Sequence, residues 1–205
     1  MAEEKKTIKL QRLAEKSVTE YVEALVAVDG KPGAASAAAA SAAMAAGLAA
    51  RAAATAPEGA LDPDVVKELG EISKYMLKQV DETVRSRTPL RKRLADGAET
   101  EQIESAARVA CGIPNEIVFI MCRMMELLEP VADVCSDDTV SCALGAVQLG
   151  LGVIAAMRAE IKDVSSHMME FTFRYTVNRE AELDLQNHQE QIDALIARLN
   201  ARLEK

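Results

Sequence analysis

From residue 34 to residue 56 the chain is almost entirely alanine, broken only by Ser36, Ser41, Met44, Gly47, Leu48, Arg51 and Thr55. Alanine is the strongest intrinsic helix former, and its single methyl lets a neighbouring backbone come unusually close. A helix of this kind belongs at the centre of a bundle, where small side chains are an advantage. The run is long enough to span a bilayer, but alanine gains little on transfer and Arg51 lies inside it, so a packed helix is expected and no membrane partner.

The rest of the composition agrees with that start. Hydrophobic residues make up 49% of the chain but aromatic residues only 3%, with no Trp, so the core has to be filled by Ala, Leu, Val, Ile and the nine Met. Runs of alternating β-branched residues are absent, and Pro and Gly fall at intervals that separate long helices. An all-α, long-helix bundle results, read as a single domain over residues 1–205, a length that can bury one sizeable core. The formal charge of −8 weighs against a nucleic-acid partner, because phosphate binding needs a basic surface. Met1 to Lys6 is polar and lacks a secretory signal pattern, which points to the cytoplasm. Cys111, Cys122, Cys135 and Cys142 have no C-x-x-C spacing and read as buried free thiols, with no metal site.

Along the chain, Leu10, Leu13, Val18, Tyr21, Val22 and Leu25 predict a first helix over Thr7 to Val28, broken by Asp29-Gly30-Lys31-Pro32-Gly33. The Ala-rich helix runs from Ala34 to Thr55. Asp62-Pro63 is an N-cap followed by Pro at the first helical position, opening a third helix to about Val84. Arg85, Arg87, Arg91, Lys92 and Arg93 follow, the only strongly basic stretch, with Pro89 as an interruption. Thr100 caps a short helix to Ala110, and Gly112-Ile113-Pro114 resets the chain before a helix through Pro130. Ser136 or Asp137 caps the next, in which Gly145, Gly150 and Gly152 imply a close crossing or a kink. A last helix begins near Asn178, and Leu185, His188, Ile192, Leu195 and Leu199 form a short seam that asks for a partner helix in the same chain or across a dimer.

No phosphate loop, hydrolase elbow, metalloprotease histidine pair or dinucleotide fingerprint is present. Three features remain. Pro32-Gly33-Ala34-Ala35-Ser36 enters the Ala helix, so free N–H groups and Ser36 can meet an anionic or amide-bearing ligand, or form an ordinary helix start. Asp81 is a proton acceptor or a surface carboxylate. Ser136 and Asp137 orient a ligand or cap a helix.

The order of Pro32-Gly33-Ala34-Ala35-Ser36-Ala37-Ala38, the Ala helix, Ile113-Pro114-Asn115-Glu116-Ile117 and Ser136-Asp137-Asp138-Thr139-Val140 resembles the formiminotetrahydrofolate cyclodeaminase and methenyltetrahydrofolate cyclohydrolase family, from Lys9 to about Val164. The resemblance implies an all-helical homodimer that binds a tetrahydrofolate derivative as substrate or ligand, with no permanently bound cofactor, and opens or closes its one-carbon bridge. It makes Pro32, Gly33 and Ser36 part of a ligand-entry motif in which two glycines have become Ala34 and Ala35. Asp81 is the counterpart of the family's catalytic carboxylate, and Ser136-Asp137 matches its Ser-Asp pair. An Asn expected near Ala155 is missing. Arg87 and Arg91 become contacts for the anionic glutamate tail of a folate.

Overall fold

A computed structural model describes residues 12–28 and 31–204. After a 3-10 turn at Leu13–Glu15 come six α-helices, α1 (Val18–Val26), α2 (Ala34–Ala53), α3 (Pro63–Ala95), α4 (Thr100–Val134), α5 (Val140–Ser165) and α6 (Phe171–Leu203), with a second 3-10 turn, Asp137–Thr139, between α4 and α5. Among the described residues there is no strand.

Helix α2 is the axis. Its residues Ala39, Ala42, Ala45, Ala46, Ala49 and Ala52 are fully buried, packed against α3, α4 and α5. The contact with α3 is antiparallel and close enough for short side chains to cross it. The Ser36 hydroxyl donates to the Val80 carbonyl at 2.9 Å, and the Ser73 hydroxyl donates to the Ala43 carbonyl at 2.9 Å. Around this axis the large buried side chains are Leu, Ile and Met, with no ring among them. On the side of α5 that faces α4, a Cβ at Gly150 would sit 2.8 Å from the Met125 Cε, which is the close crossing that the glycines imply. Cys111 and Cys122 are buried free thiols, each pushed up to about 12 by burial and therefore poor nucleophiles. The span that is long and apolar enough to cross a bilayer is Asp137–Ser165 rather than the alanine run. Its inner face is packed against α2, α4 and α6.

Several expected boundaries move. Residues 7–11 of the expected first helix lie outside the described residues, and its remainder starts only at Val18. Ser17 and Glu20 form a reciprocal capping box there, with the Ser17 N–H donating to Glu20 at 2.8 Å. Helix α3 continues through Pro89, and α4 runs through Gly112 and Pro114 without a reset. Proline removes one N–H and crowds a carbonyl, a cost of about 3 kcal/mol in a helix interior. In a helix of 33 or 35 residues that cost is outweighed by tertiary packing on both sides of the proline: Leu90 is buried after Pro89, and Ile117 and Val118 after Pro114.

The last helix begins at Phe171, well before Asn178, because its cap is not local. The Glu104 carboxylate on α4 accepts from the Met169 N–H at 3.0 Å and the Glu170 N–H at 3.3 Å, satisfying the start of α6 from across the bundle. At the other end the favour is returned: Arg202 on α6 donates to the Ala132 carbonyl at 2.8 Å and the Cys135 carbonyl at 2.7 Å, closing the C-terminus of α4. The α6 seam is filled within the chain, since Ile192, Leu195 and Leu199 are buried and α6 packs on α4 and α5.

His188 lies on that seam as a polar clasp. Its ring touches the Asp184 carbonyl at 2.6 Å and the Glu126 carboxylate on α4 at 2.7 Å, an arrangement that both N–H groups of the protonated ring satisfy. The Asp184 carbonyl raises the His188 pKa above its ordinary value, against the opposing effect of burial and with help from Glu126. Glu126 is held below its ordinary value by Arg123 and His188, so it stays charged where the histidine titrates. A raised histidine pKa stabilises the fold fully below the unfolded value and ceases to do so as pH rises through the folded one. His188→Gln should therefore lower the urea midpoint more at about pH 5.5 than at about pH 8.5. An equal loss at both values would show that the ring acts by packing alone.

Candidate functional site

Where α2 begins, Gly33 is its N-cap in an extended conformation and supplies no side-chain cap. The first intrahelical bond comes from the Ala37 N–H, so the N–H groups of Ala34, Ala35 and Ser36 are left over. This end of the helix faces a cleft of about 380 Å³ between α2, α3 and α5, lined among others by Lys31, Gly33, Ser36, Arg87, Arg91 and Glu160. The Arg91 guanidinium lies 3.5 Å from the point where a Cβ on Gly33 would stand, so the glycine lets this cation lean over the helix start. Among the described residues, neither Arg91 nor Lys31 has a carboxylate partner. Free helix N–H groups, the positive end of the α2 dipole and two uncommitted cations together favour an anion at the mouth of the cleft.

Deeper in, the charges are already matched. Arg87 on α3 is gripped by Glu160 and Asp163, which lie one turn apart on α5. Of the Arg87 guanidinium, the Nε is buried with no hydrogen-bond partner. This arginine ties α3 to α5 and forms the floor of the cleft, whereas Arg91, one turn further along α3, is the cation free to meet a ligand.

Five of the expected residues, Pro32, Gly33, Ser36, Arg87 and Arg91, converge on this end of α2. Ser36 is 1% exposed and fully engaged: it donates to the Val80 carbonyl and accepts from the Tyr21 hydroxyl at 2.7 Å. Burial raises the Tyr21 pKa, keeping it the donor of that bond. Asp81 does not line the cleft. Its Oδ1 accepts from the Leu13 N–H at 2.8 Å and its Oδ2 from the Ala14 N–H at 3.4 Å, so it caps the 3-10 turn that precedes α1. Ser136 and Asp137 stand at the opposite end of α2, about 30 Å away along a helix of 20 residues. There the Ser136 N–H donates to the Thr55 hydroxyl at 3.1 Å, and Asp137 pairs with Arg202 at 2.7 Å. Within one chain these two residues belong to the α4–α5 turn and not to the cleft.

Tyr21, Lys31, Glu160 and Asp163 were not among the candidates read from sequence. For Glu160 and Asp163 a partial signal existed: two carboxylates one turn apart on α5 can take a cation from another helix, and the arginine-rich stretch offers one, although Arg158 and Lys162 of α5 itself compete as partners.

No protein-family model matches the chain, and no curated protein matches it. Among solved structures, the formiminotetrahydrofolate cyclodeaminase of Thermotoga maritima superimposes with a TM-score of 0.76, covering 94% of this chain and 98% of that one at 20% sequence identity. This chain has the cyclodeaminase fold. The all-helical architecture implied by the sequence resemblance is thereby established over nearly the whole length of both chains. The sequence resemblance expects an Asn near Ala155, where this chain has Ala155 and Ala156. Ala156 lines the cleft and presents only a methyl group there.

Proposed function

We propose that the cleft at the start of α2 binds a tetrahydrofolate derivative, and that the protein acts on the one-carbon bridge of 5,10-methenyltetrahydrofolate. The observation that carries this reading is the coincidence of two independent features at one place: the Pro32-Gly33-Ala34-Ala35-Ser36 segment and a cleft whose rim offers free N–H groups, Lys31 and Arg91 to an anion. Arg91 is the contact for the glutamate carboxylates, and Arg87, already held by two carboxylates, is the support beneath it. In the hydrolytic direction water adds to the electrophilic methenyl carbon and loses a proton to a carboxylate. Cleavage of one C–N bond, with a proton returned to that nitrogen, then leaves a formyl group.

A second reading has a specific observation in its favour. Asp81, the carboxylate expected to take the proton, is occupied by the Leu13 and Ala14 N–H groups, and the Ala34 and Ala35 methyls stand where the motif otherwise has glycine. This favours a homologue that binds folate without turning it over. Loss of methenyltetrahydrofolate absorbance, followed with pure protein, is expected to exceed the buffer rate. Calorimetry with the same ligand is expected to show binding that weakens about tenfold in Arg91→Glu, the loss of one charge-assisted contact. Binding without acceleration selects the second reading, and no binding rejects both.

We further propose that the protein is a homodimer joined through the outer faces of α2 and α5, because α6 is satisfied within the chain. Met44 on α2 is 58% exposed and Leu149 on α5 is 39% exposed, and Gly47 and Gly152 keep the surface beside them low. Sedimentation should give about twice the 22.0 kDa chain mass. The double variant Met44→Glu with Leu149→Glu should sediment as a folded monomer.

A further inference from the structure

On the face of α5 next to the one that lines the cleft, two adjoining hollows of about 400 and 340 Å³ run between α5 and the first half of α6, sharing Lys162 and Asn178. Two features of this groove bear on what it can bind. The first is charge. Arg158, Lys162 and Arg174 line the groove, and none of the three has a carboxylate partner among the described residues. Arg158 and Lys162 are four apart on α5, a like-charge pair that weakens a helix unless an anion lies between them. In a chain with 32 acidic and 24 basic residues, three cations against one carboxylate, Glu182, along one groove are a local reversal of sign.

The second is the rings. The chain has three Phe and three Tyr, and two of these six stand together at this groove. Phe171 and Tyr175 are stacked with centroids 6.0 Å apart, yet they are 67% and 58% exposed. Arg174 lies over the Phe171 ring at 5.8 Å. Asn178 commits its amide nitrogen to the Ser165 hydroxyl and the Arg174 carbonyl, each at 2.8 Å, leaving its carbonyl oxygen as the acceptor the groove can offer. A stacking surface, cations beside it and one amide acceptor are the elements that recognise a flat heterocycle with an N–H edge and a negative group.

We propose that the α5–α6 groove is a second ligand site, for a planar heteroaromatic ring carrying a phosphate or a carboxylate. It adjoins the cleft at α2 through Ala159 but shares none of its charged residues, and it does not depend on what that cleft binds. The rings take the heterocycle and Lys162, Arg158 and Arg174 take the anion.

The test is calorimetric titration of the full chain with adenosine 5′-monophosphate and with quinoline-2-carboxylate, set beside adenosine and inorganic phosphate alone. Saturable binding is expected for a ring-bearing anion, about tenfold tighter than for either half by itself. The tighter of the two compounds assigns the anionic group. Phe171→Ser with Tyr175→Ser, and separately Lys162→Gln with Arg174→Gln, should each weaken it by about tenfold while melting as the parent does, since all four positions are surface sites. Arg91→Gln should leave it unchanged. Absence of binding by both compounds, or an affinity equal to the parent's in either double variant, overturns the proposal. So does a shift of the ring variant to a smaller sedimenting species, which would make the rings a contact between copies of the chain.

Discussion

Replacing Arg87 by methionine should lower the unfolding free energy by about 3 kcal/mol or more, read from urea denaturation. The effect is large because of what is left behind. Glu160 is 9% exposed and faces Arg87 across the α3–α5 contact, so removing the cation strands a carboxylate with little access to water. Asp163 is 57% exposed and can turn to solvent, so its share of the loss is small. Removing both partners is a different experiment. Arg87→Met with Glu160→Leu exchanges an ion pair for an apolar contact of similar volume and should recover most of the stability. If the double variant is as unstable as the single one, the role of Arg87 is packing by its stem and not neutralisation of Glu160.

Ala46→Leu should be comparably damaging, for a reason of volume alone. Ala46 is fully buried on an axial helix that has α3, α4 and α5 around it. Three added carbons have no space unless one of those helices moves, and overpacking of this kind costs about 1–3 kcal/mol, more where the surroundings are rigid. Met44→Leu, two residues earlier on the same helix but more than half exposed, is the control and should change the melting temperature little. A similar small effect at Ala46 would mean that the alanines are merely good helix formers and not the condition for close approach.

The two residues also show which parts of the fold were legible. The alanine run declared its own position, because a helix with almost no side-chain volume has nowhere to go but between others. Helix ends with local chemistry were legible too, as at Asp62-Pro63, where the Asp62 carboxylate accepts from the Asp64 N–H at 2.9 Å. The ends that misled are those settled at long range. Pro89 and Pro114 break isolated helices, and nothing near them in sequence says that packing carries α3 and α4 past them. Phe171 begins α6 without a capping residue of its own.

The site divides in the same way. Gly33 and Ser36 were marked by a short motif at a helix start, and Arg91 by its place in the basic stretch. The contrast between Arg87 and Arg91 was not legible, because it depends on which of two arginines one turn apart meets the carboxylates of α5. Asp81 stands out in the sequence by its place before the basic stretch and again in the family order. Its engagement with Leu13 and Ala14 follows from a chain reversal 68 residues away.

The mutual fastening of α4 and α6 bears on the order in which this chain can be completed during synthesis. Glu104 emerges early and waits for Met169 and Glu170, while the carbonyls at the end of α4 wait for Arg202, 67 residues beyond Cys135. A nascent chain that has made α2 to α5 can assemble the alanine-centred core, yet the α4–α5 turn stays unlatched until α6 is laid down alongside α4. Arg202, which then also pairs with Asp137 beyond that turn, acts as the closing stitch of the molecule.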